Sequence, residues 1–385
     1  MRSKKQDNHI DLMQGSETLK PFALERYFAK YEFTAPYLLC CSDCEALSLS
    51  ELLSMADDDS LQLWQELGLG YTESMGHPLL REEIAKLYAN ISPKEVLVTV
   101  PEEGIFIAMK TLLKKGDHVV VTAPCYQSLS EVALSMGCKC AYWMPHWEDS
   151  TGWKFRVEDL FSLITTDTKL LVINFPHNPT GALLSESELN RVVAVAQERN
   201  IPIFSDEMYR YLEHDSALRL PSVAEIYEKG VALSGLSKSF ALPGLRIGWL
   251  LTQDRALLQS LAFYKDYTTI CSSAPSEVLG IIGLRAKEQI VRQNLDIISN
   301  NLSLLDAFFG KHRHLFSWHR PKASSIAFPK YLANHPISSY CSKLIDNTGV
   351  MLLPAPLFGM DGPWFRIGFG RKNLPQALSR WEETL

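Results

Sequence analysis

Between residues 96 and 206 the chain alternates short apolar segments with segments of helical periodicity, and this alternation constrains the fold most strongly. The apolar segments have the length of strands and are apolar throughout, not at every second residue. Strands of this kind are buried on both faces, which is typical of a mainly parallel sheet covered by helices on both sides. We therefore predict an α/β fold with a seven-stranded sheet, its strands at residues 96–100, 118–122, 139–144, 169–174, 201–205, 231–233 and 247–251.

Helical periodicity predicts the segments that connect and follow these strands. The connecting helices are expected at 104–113, 128–135, 157–164 and 185–199, and others precede the sheet at 22–33, 47–55, 60–67 and 78–88. Beyond residue 249 we expect one long helix at 276–309 and short strands at 325–329, 350–353 and 365–369. The change of pattern predicts a large domain at 46–275 and a smaller α+β domain formed by 1–45 and 276–385, with residues 1–20 as a loose polar arm.

Composition excludes several classes of protein. The chain has 385 residues, 46% of them hydrophobic, and a formal net charge of -6 without long blocks of one sign, so nothing favours nucleic acid or an anionic membrane as a partner. No apolar run approaches the roughly eighteen residues that a membrane span needs. The N-terminus lacks the apolar segment of a secretory signal, which predicts a cytoplasmic protein.

Cysteines occur eight times, and three of them lie in the sequence CCSDC at residues 40–44. A second Cys/His pair at the spacing of a zinc site does not follow, so we predict no metal and reduced thiols.

A single lysine stands out in the stretch GVALSGLSKSFALPGLRIGWL at residues 230–250. Lys238 follows a predicted strand and a polar turn and has apolar residues and glycines around it. A lysine held away from water is destabilised in its charged form, which makes its neutral amine available as a nucleophile. Arg246 lies eight residues further on.

Other chemically capable side chains also follow predicted strands, where ligands bind in sheets of this kind. Asp206 ends a buried segment, where a carboxylate requires a cationic partner. Tyr209 and Asn178 can donate hydrogen bonds to a phenolate-like oxygen, and Tyr126 offers a flat face for stacking on a ring.

An anion site is predicted beside them. Arg246, the turn at 234–237 with Ser237, and the helix start at Glu102, Glu103 and Gly104 can bind a phosphate by charge and by free backbone N–H groups. An imine-forming lysine, a partner for a ring nitrogen, donors for a ring oxygen and a phosphate site together describe pyridoxal 5′-phosphate.

The motifs SGLSKSFALPGLRIGW, NFPHNPTG, SDEMY, PCY, YTESMGHPLLR and FRIGFG span residues 71–370. With these motifs in this order, the chain resembles the class I/II aminotransferases, which are pyridoxal-phosphate enzymes of fold type I. The resemblance implies amino transfer between an L-amino acid and a 2-oxo acid, with Lys238 holding the cofactor as a Schiff base and moving the substrate's α-proton. It also implies that Asp206 pairs with the ring nitrogen, that Asn178 and Tyr209 bond the ring oxygen, and that Tyr126 stacks on the ring.

The remaining implied roles concern the phosphate and the substrate. By resemblance, Arg246 binds the phosphate, and Tyr71 reaches the phosphate of a partner subunit's cofactor, which implies a homodimer with shared sites. Arg366 matches the arginine that clamps the substrate α-carboxylate, next to Asn178.

Two departures and two alternatives stay open. Gly235 stands where the family often has serine, and the acidic Glu102 and Glu103 are expected to turn their side chains away from the phosphate. One alternative keeps the cofactor but performs elimination, cyclisation or oxidation, as in capreomycidine-synthase-like or arginine-oxidase-like enzymes; another is a non-catalytic cofactor-binding protein. Substrate specificity is expected to depend on loops near 35–45 and 264–275, where the motifs identify no individual residues.

Overall fold

The computed structural model describes residues 13–14 and 18–385. Its central element is a sheet with the strand order β1-β4-β3-β7-β8-β9-β10-β2. The strands of the protein are β1 (Met13–Gln14), β2 (Val96–Thr99), β3 (His118–Thr122), β4 (Lys139–Trp143), β5 (His146–Glu148), β6 (Gly152–Lys154), β7 (Thr168–Asn174), β8 (Ile203–Asp206), β9 (Gly230–Gly235), β10 (Gly248–Leu251), β11 (Phe316–Ser317), β12 (Ile326–Ala327), β13 (Lys330–Tyr331), β14 (Leu353–Pro354) and β15 (Phe365–Gly368).

The predicted seven-stranded, mainly parallel sheet is confirmed. Strands β4, β3, β7, β8 and β9 pair in parallel, while β10 runs antiparallel between β9 and β2. The carboxyl ends of every one of these strands except β10 therefore lie at the same edge. The two-residue β1 pairs antiparallel with the outer strand β4, and the rest of the predicted arm up to residue 17 lies outside the described residues.

Helices cover both faces of this sheet, and others, such as α13 and α14, belong to the smaller C-terminal part of the fold. They are α1 (Ala23–Tyr31), α2 (Leu49–Ser54), α3 (Asp58–Gln65), α4 (Pro78–Ala85), α5 (Pro101–Leu112), α6 (Ser128–Ser135), α7 (Val157–Leu163), α8 (Glu186–Glu198), α9 (Val223–Ile226), α10 (Arg255–Lys265), α11 (Ala274–Arg285), α12 (Lys287–Lys311), α13 (Ile337–Thr348) and α14 (Leu374–Glu382). The predicted capping box opens α8: Glu188 N donates to Ser185 Oγ at 3.2 Å and Ser185 N donates to the Glu188 carboxylate at 2.7 Å.

The prediction of one continuous helix at 276–309 is wrong. Two helices, α11 and α12, meet at Ala286, where the backbone leaves the helical conformation. Helix α11 is buried along nearly all of residues 277–284, between α2, α3 and α4, whereas α12 buries one face. The two helices thus have different surroundings, one buried on all sides and one on a single face. Helical periodicity alone does not reveal the break between them.

The N-terminal segment packs against the C-terminal third of the chain. Leu24, Cys40 and Cys41 share an apolar cluster with Met351 and Phe358, next to the small sheet β12-β15-β14. This packing agrees with a small domain built from both ends, while the exact boundaries at 45 and 275 stay a prediction. In the described part of the chain, no helix is long and apolar enough to cross a bilayer.

Candidate active site

A cavity of about 380 Å³ lies at the carboxyl edge of the sheet. Nine of the residues predicted from the sequence line it: Glu102, Tyr126, Asn178, Asp206, Tyr209, Ser237, Lys238, Arg246 and Arg366. Glu103, Gly104 and Tyr71 do not. The parallel strands bring these residues together from six separate parts of the chain, because each follows the end of its own strand or lies on the facing small sheet.

Asp206 is the last residue of β8 and is only 6% exposed. Its Oδ1 accepts a hydrogen bond of 3.1 Å from Met208 N, and Asn174 Nδ2 donates to its carbonyl oxygen at 2.9 Å. Burial raises the pKa of Asp206 to about 7 because the charged form is poorly solvated. A cation placed in the cavity would therefore stabilise the carboxylate.

Two hydroxyl groups border the cavity without a partner. Tyr209 Oη and Ser237 Oγ are buried, and neither has a hydrogen-bond partner among the described residues. An unsatisfied buried hydroxyl is costly, so both groups favour a ligand that carries acceptor oxygens.

Arg366 is 1% exposed and rigidly held. Its guanidinium donates to Cys40 O at 3.2 and 3.0 Å and to Asn178 Oδ1 at 3.1 Å. Asn178 is fixed in turn, since its backbone N donates to Asn174 Oδ1 at 2.8 Å. With its oxygen engaged by Arg366, Asn178 presents its NH₂ group as a donor.

Lys238 Nζ donates a hydrogen bond of 2.8 Å to Ser42 Oγ. Burial lowers the pKa of Lys238, and the nearby Asp43 opposes this shift. Ser42 is held from the other side by Ser325 Oγ, which donates to its carbonyl oxygen at 2.7 Å. The sequence had indicated this segment only as part of a loop near 35–45 that shapes specificity, without identifying Ser42; among the described residues, no cluster of three or more His, Cys, Asp or Glu could hold a metal ion.

Residues of the N-terminal segment that no motif had indicated also line the cavity. They are Leu24, Glu25, Phe28 and Glu32 from α1 and its end, and Cys41, Ser42 and Asp43. The one available signal was the expectation that the loop near 35–45 shapes the site; it did not identify these side chains.

The start of α5 forms one end of the cavity. Gly104 N already donates to Val100 O at 2.9 Å, which corrects the prediction that its N–H is free for a phosphate. Its lack of a side chain matters instead, because a Cβ there would lie 2.9 Å from Leu233 Cδ1 and 3.1 Å from Thr99 Cγ2, so these side chains or the helix would have to shift. The first-turn amides of Glu102 and Glu103 have no helical partner by geometry.

The two acidic side chains of this turn behave differently. Glu103 turns outward as expected and accepts hydrogen bonds from Thr99 Oγ1 at 2.6 Å and Thr269 Oγ1 at 2.8 Å. Glu102 borders the cavity, contrary to expectation, and accepts from Ser128 Oγ at 3.2 Å. Burial raises the pKa of Glu102, which favours a neutral carboxyl beside an anion.

Arg246 supplies the positive charge at this end. It adopts a left-handed conformation with φ 56°, and its side chain is exposed and donates to Pro243 O at 3.1 Å. Tyr71, in contrast, is 93% exposed and lies away from the cavity of its own chain.

These groups fit pyridoxal 5′-phosphate. Asp206 suits a protonated ring nitrogen, the unpaired Tyr209 hydroxyl suits a ring oxygen, and Lys238 suits an aldehyde. Arg246 and the unpaired Ser237 hydroxyl suit a phosphate near the start of α5. The fit rests on buried polar atoms that the described chain itself leaves unsatisfied.

Comparison with known proteins agrees with this geometry. The sequence model of the family "Aminotransferase class I and II" matches residues 56–380. The chain is 32% identical over 305 residues to an aspartate aminotransferase from Sulfolobus acidocaldarius, covering 76% of this chain and 75% of the relative.

Two further proteins resemble the chain over nearly its whole length. A crystal structure of a PLP-dependent aminotransferase from Streptococcus suis superposes with a TM-score of 0.88 at 30% identity, covering 95% of this chain and 97% of that one. A capreomycidine synthase from Streptomyces vinaceus is 26% identical over 379 residues, covering 96% of this chain and 95% of the relative.

Proposed function

Because the chain belongs to the class I and II aminotransferases, which makes it a pyridoxal-phosphate-dependent transaminase, we propose that its amino transfer takes place in the cavity around Lys238. One observation carries this assignment. The half-buried Lys238, whose pKa is lowered by desolvation, shares a single cavity with Arg366, a rigidly held cation that remains available to a carboxylate. The substrates would be an L-amino acid and a 2-oxo acid.

The residues proposed to hold the cofactor are Asp206, Tyr209, Asn178, Tyr126, Ser237 and Arg246, together with the first-turn amides of α5 at Glu102 and Glu103. When bound, pyridoxal phosphate supplies an aldehyde for amine attachment and a ring that accepts the electron pair released at the substrate Cα. Asp206, buried and anionic beside a ring cation, would keep that ring electron-poor.

The chain's own residues then bind the substrate and move its proton. Arg366 binds the α-carboxylate through the guanidinium face that Cys40 O and Asn178 leave open. Lys238 Nζ, whose pKa is lowered by burial, is the proposed base that takes the proton from Cα and returns it to a neighbouring carbon. Ser42 Oγ, 2.8 Å from Nζ, keeps the amine in place between these transfers.

A second reaction within the same cofactor chemistry is supported by the near full-length similarity to a capreomycidine synthase. Elimination, cyclisation or oxidation would use the same cavity and the same lysine. Product analysis separates the two: transamination yields a keto acid and the aminated cofactor, whereas the alternative yields ammonia, a cyclised product or peroxide.

Removal of the lysine tests the assignment. The holo-protein is expected to show the absorbance band of a lysine-linked cofactor, and Lys238→Ala is expected to lose both the band and all detectable transamination. Lys229, which donates to Asn200 and does not line the cavity, provides the control: Lys229→Ala should keep both. A band that survives in Lys238→Ala would refute the site.

The proposal also includes the oligomeric state of the protein and its location in the cell. A homodimer is supported by the exposed apolar side chains of Leu69, Tyr71 and Tyr267 on adjoining loops and of Phe263 near the end of α10; Tyr71 would reach the partner's cofactor. A cytoplasmic location is supported by the eight cysteines, all of which carry free thiols.

A further inference from the structure

Three carboxylates line one wall of the cavity and have no role in the chemistry described above. Glu25 and Glu32 come from α1 and its C-terminal end, and Asp43 comes from the segment that contacts Lys238. Among the other titratable groups that line the cavity, Lys238 is assigned to the aldehyde, Arg366 to an α-carboxylate, Arg246 to a phosphate and Asp206 to a ring nitrogen, while Glu102 lies at the phosphate end. The wall therefore carries excess negative charge toward whatever fills the remaining space.

The chain neutralises this charge only in part. Asp43 pairs with Arg371 at 2.8 Å, and Glu25 accepts a long hydrogen bond of 3.4 Å from Tyr126 Oη. Within residues 18–385, Glu32 forms no ion pair. Burial raises the pKa of Glu32 and the charge of Glu25 raises it further; Asp43 acts in the same direction, while Arg371 and Lys238 oppose the shift without cancelling it. A cation that reached this wall would relieve the repulsion.

Helix α1 also presents an apolar surface to the same space. Leu24 and Phe28 line the cavity together with the two glutamates. The helix is held against the large sheet by Gln127, whose side chain accepts from Ala23 N at 2.9 Å and donates to Pro21 O at 3.1 Å. The wall thus combines a fixed apolar strip with carboxylates, which suits a chain of methylenes that ends in a positive charge.

The cavity is a ligand site on independent grounds. Tyr209 Oη, on a side chain only 2% exposed, opens into it without a partner. Arg366 and Asp43 line the same cavity as this tyrosine, so the α-carboxylate clamp and the acidic wall border one continuous space.

We propose that the amino acid substrate carries a cationic side chain, which Glu32, Glu25 and Asp43 recognise while Arg366 holds its α-carboxylate. The inference rests on the proposed function and adds the substrate class. With the α-carboxylate on Arg366 and the α-amine toward Lys238, the side chain is left to extend along α1. An acidic substrate side chain would meet like charge there, and a short neutral one would leave the carboxylates unmatched.

Matched amino acids test the proposal by binding, without 2-oxo acid. The holo-protein is titrated with L-arginine and its neutral counterpart L-citrulline, and with L-lysine and its neutral counterpart L-norleucine, while the cofactor absorbance is followed. At least one cationic member is expected to half-saturate the change at a concentration about tenfold or more below its neutral counterpart. L-Glutamate is expected to bind worse than either neutral amino acid.

Variants assign the preference to the wall. Glu32→Gln is expected to reduce the cationic-to-neutral ratio by about fivefold or more, with Glu25→Gln and Asp43→Asn acting in the same direction. Because Asp43→Asn leaves Arg371 without its partner, its thermal stability is measured alongside. Glu288→Gln, on an exposed helix face, should leave the ratio unchanged.

The results distinguish a wrong substrate class from a wrong function. Equal half-saturating concentrations for the cationic and the neutral amino acids would overturn the proposed substrate class. So would a cationic-to-neutral ratio that none of the three variants changes. Either result would leave the assignment as a transaminase intact. Absence of an absorbance change with every amino acid, in a protein that shows the lysine-linked band, would overturn the proposed function and the substrate class with it.

Discussion

Asp206, Tyr209 and Ser237 lie buried at the cavity with more capacity for charge and hydrogen bonds than the surrounding chain satisfies. Such groups lower the stability of the protein without its ligand and contribute to ligand affinity, since binding satisfies them. The active site is therefore a region that the bound cofactor is expected to stabilise.

The charge of Asp206 should make the stability of the cofactor-free protein depend on pH. The pKa of Asp206 in the folded chain, about 7, lies above the ordinary value of 3.8. Between these two pH values the folded chain therefore binds more protons than the unfolded chain does. The group's contribution to the free energy of unfolding therefore falls as pH rises from 4 to 8, by at most on the order of 4 kcal/mol. Thermal unfolding measured across this pH range should show that the wild type loses stability more steeply with rising pH than Asp206→Asn does.

Glu288→Gln, which removes an exposed carboxylate, should instead follow the wild-type curve. If the wild type and Asp206→Asn lose stability in parallel over the whole range, the carboxylate is not buried in the way described.

Ser42 is expected to position the amine of Lys238. Ser42→Ala removes the partner 2.8 Å from Nζ, which should lower kcat about fivefold, as the loss of one hydrogen bond implies, with KM changed less than twofold. The lysine-linked absorbance band should still form. Ser42→Thr, which keeps the hydroxyl, should recover most of kcat; a variant that changes KM alone would place Ser42 in substrate binding instead.

At the scale of elements, the contact between β9, β10 and the start of α5 explains why Gly235 replaces a serine. Gly235 faces Gly248 across the antiparallel pair. A Cβ at Gly235 would lie 3.0 Å from Gly248 Cα and from Ile247 O, and 3.2 Å from Pro101 Cγ. The glycine pair lets the first residue of α5 sit against the sheet, beside the proposed phosphate site.

Substitution of this glycine should affect both stability and cofactor binding. Gly235→Ala is expected to destabilise the protein by about 1–3 kcal/mol, because the neighbouring atoms are backbone and cannot rotate away, and to weaken cofactor affinity by displacing α5. Gly244→Ala is the matched control in the same stretch, since a Cβ there meets nothing within 4 Å. Thermal unfolding and cofactor titration of both variants measure the difference; equal Tm values would contradict the packing argument.

At the scale of the whole molecule, two adjoining loops carry several of the exposed apolar side chains. Residues 68–76 and 265–273 are joined by Ser74 Oγ, which donates to Asp266 at 3.1 Å, and by a hydrogen bond from Lys265 to Ser74 O. Leu69, Tyr71, Tyr267 and Ile270 project from them with exposures from 55% to 93%. A contiguous apolar face of this kind favours association with a second copy.

Subunit mixing tests whether two copies share their sites. Lys238→Ala and Tyr71→Ala should each be impaired alone, but a mixed dimer would contain one site with Lys238 from one chain and Tyr71 from the other. Random exchange of equal amounts should restore activity to about one quarter of wild type, because half of the dimers are mixed and each has one intact site of two. If the mixture shows only the average of its components, Tyr71 does not act across an interface.

The sequence by itself determined the sheet and most residues at its carboxyl edge. Continuous apolar segments identify buried parallel strands, and parallel strands place their ends together, so Asp206, Asn178 and Lys238 could be assigned to one site before their distances were known. Local periodicity carries this information because it depends on neighbours in sequence.

Tertiary structure alone decided the rest. Ser42 reaches Lys238 across 196 residues of sequence, and Cys40 orients Arg366 through a carbonyl group that any residue could have provided. The turn of the chain at Ala286, the hydrogen bond that occupies Gly104 N and the acidic wall on α1 likewise depend on how distant segments pack. No local pattern encodes such contacts, because each is set by the position of a segment relative to the sheet.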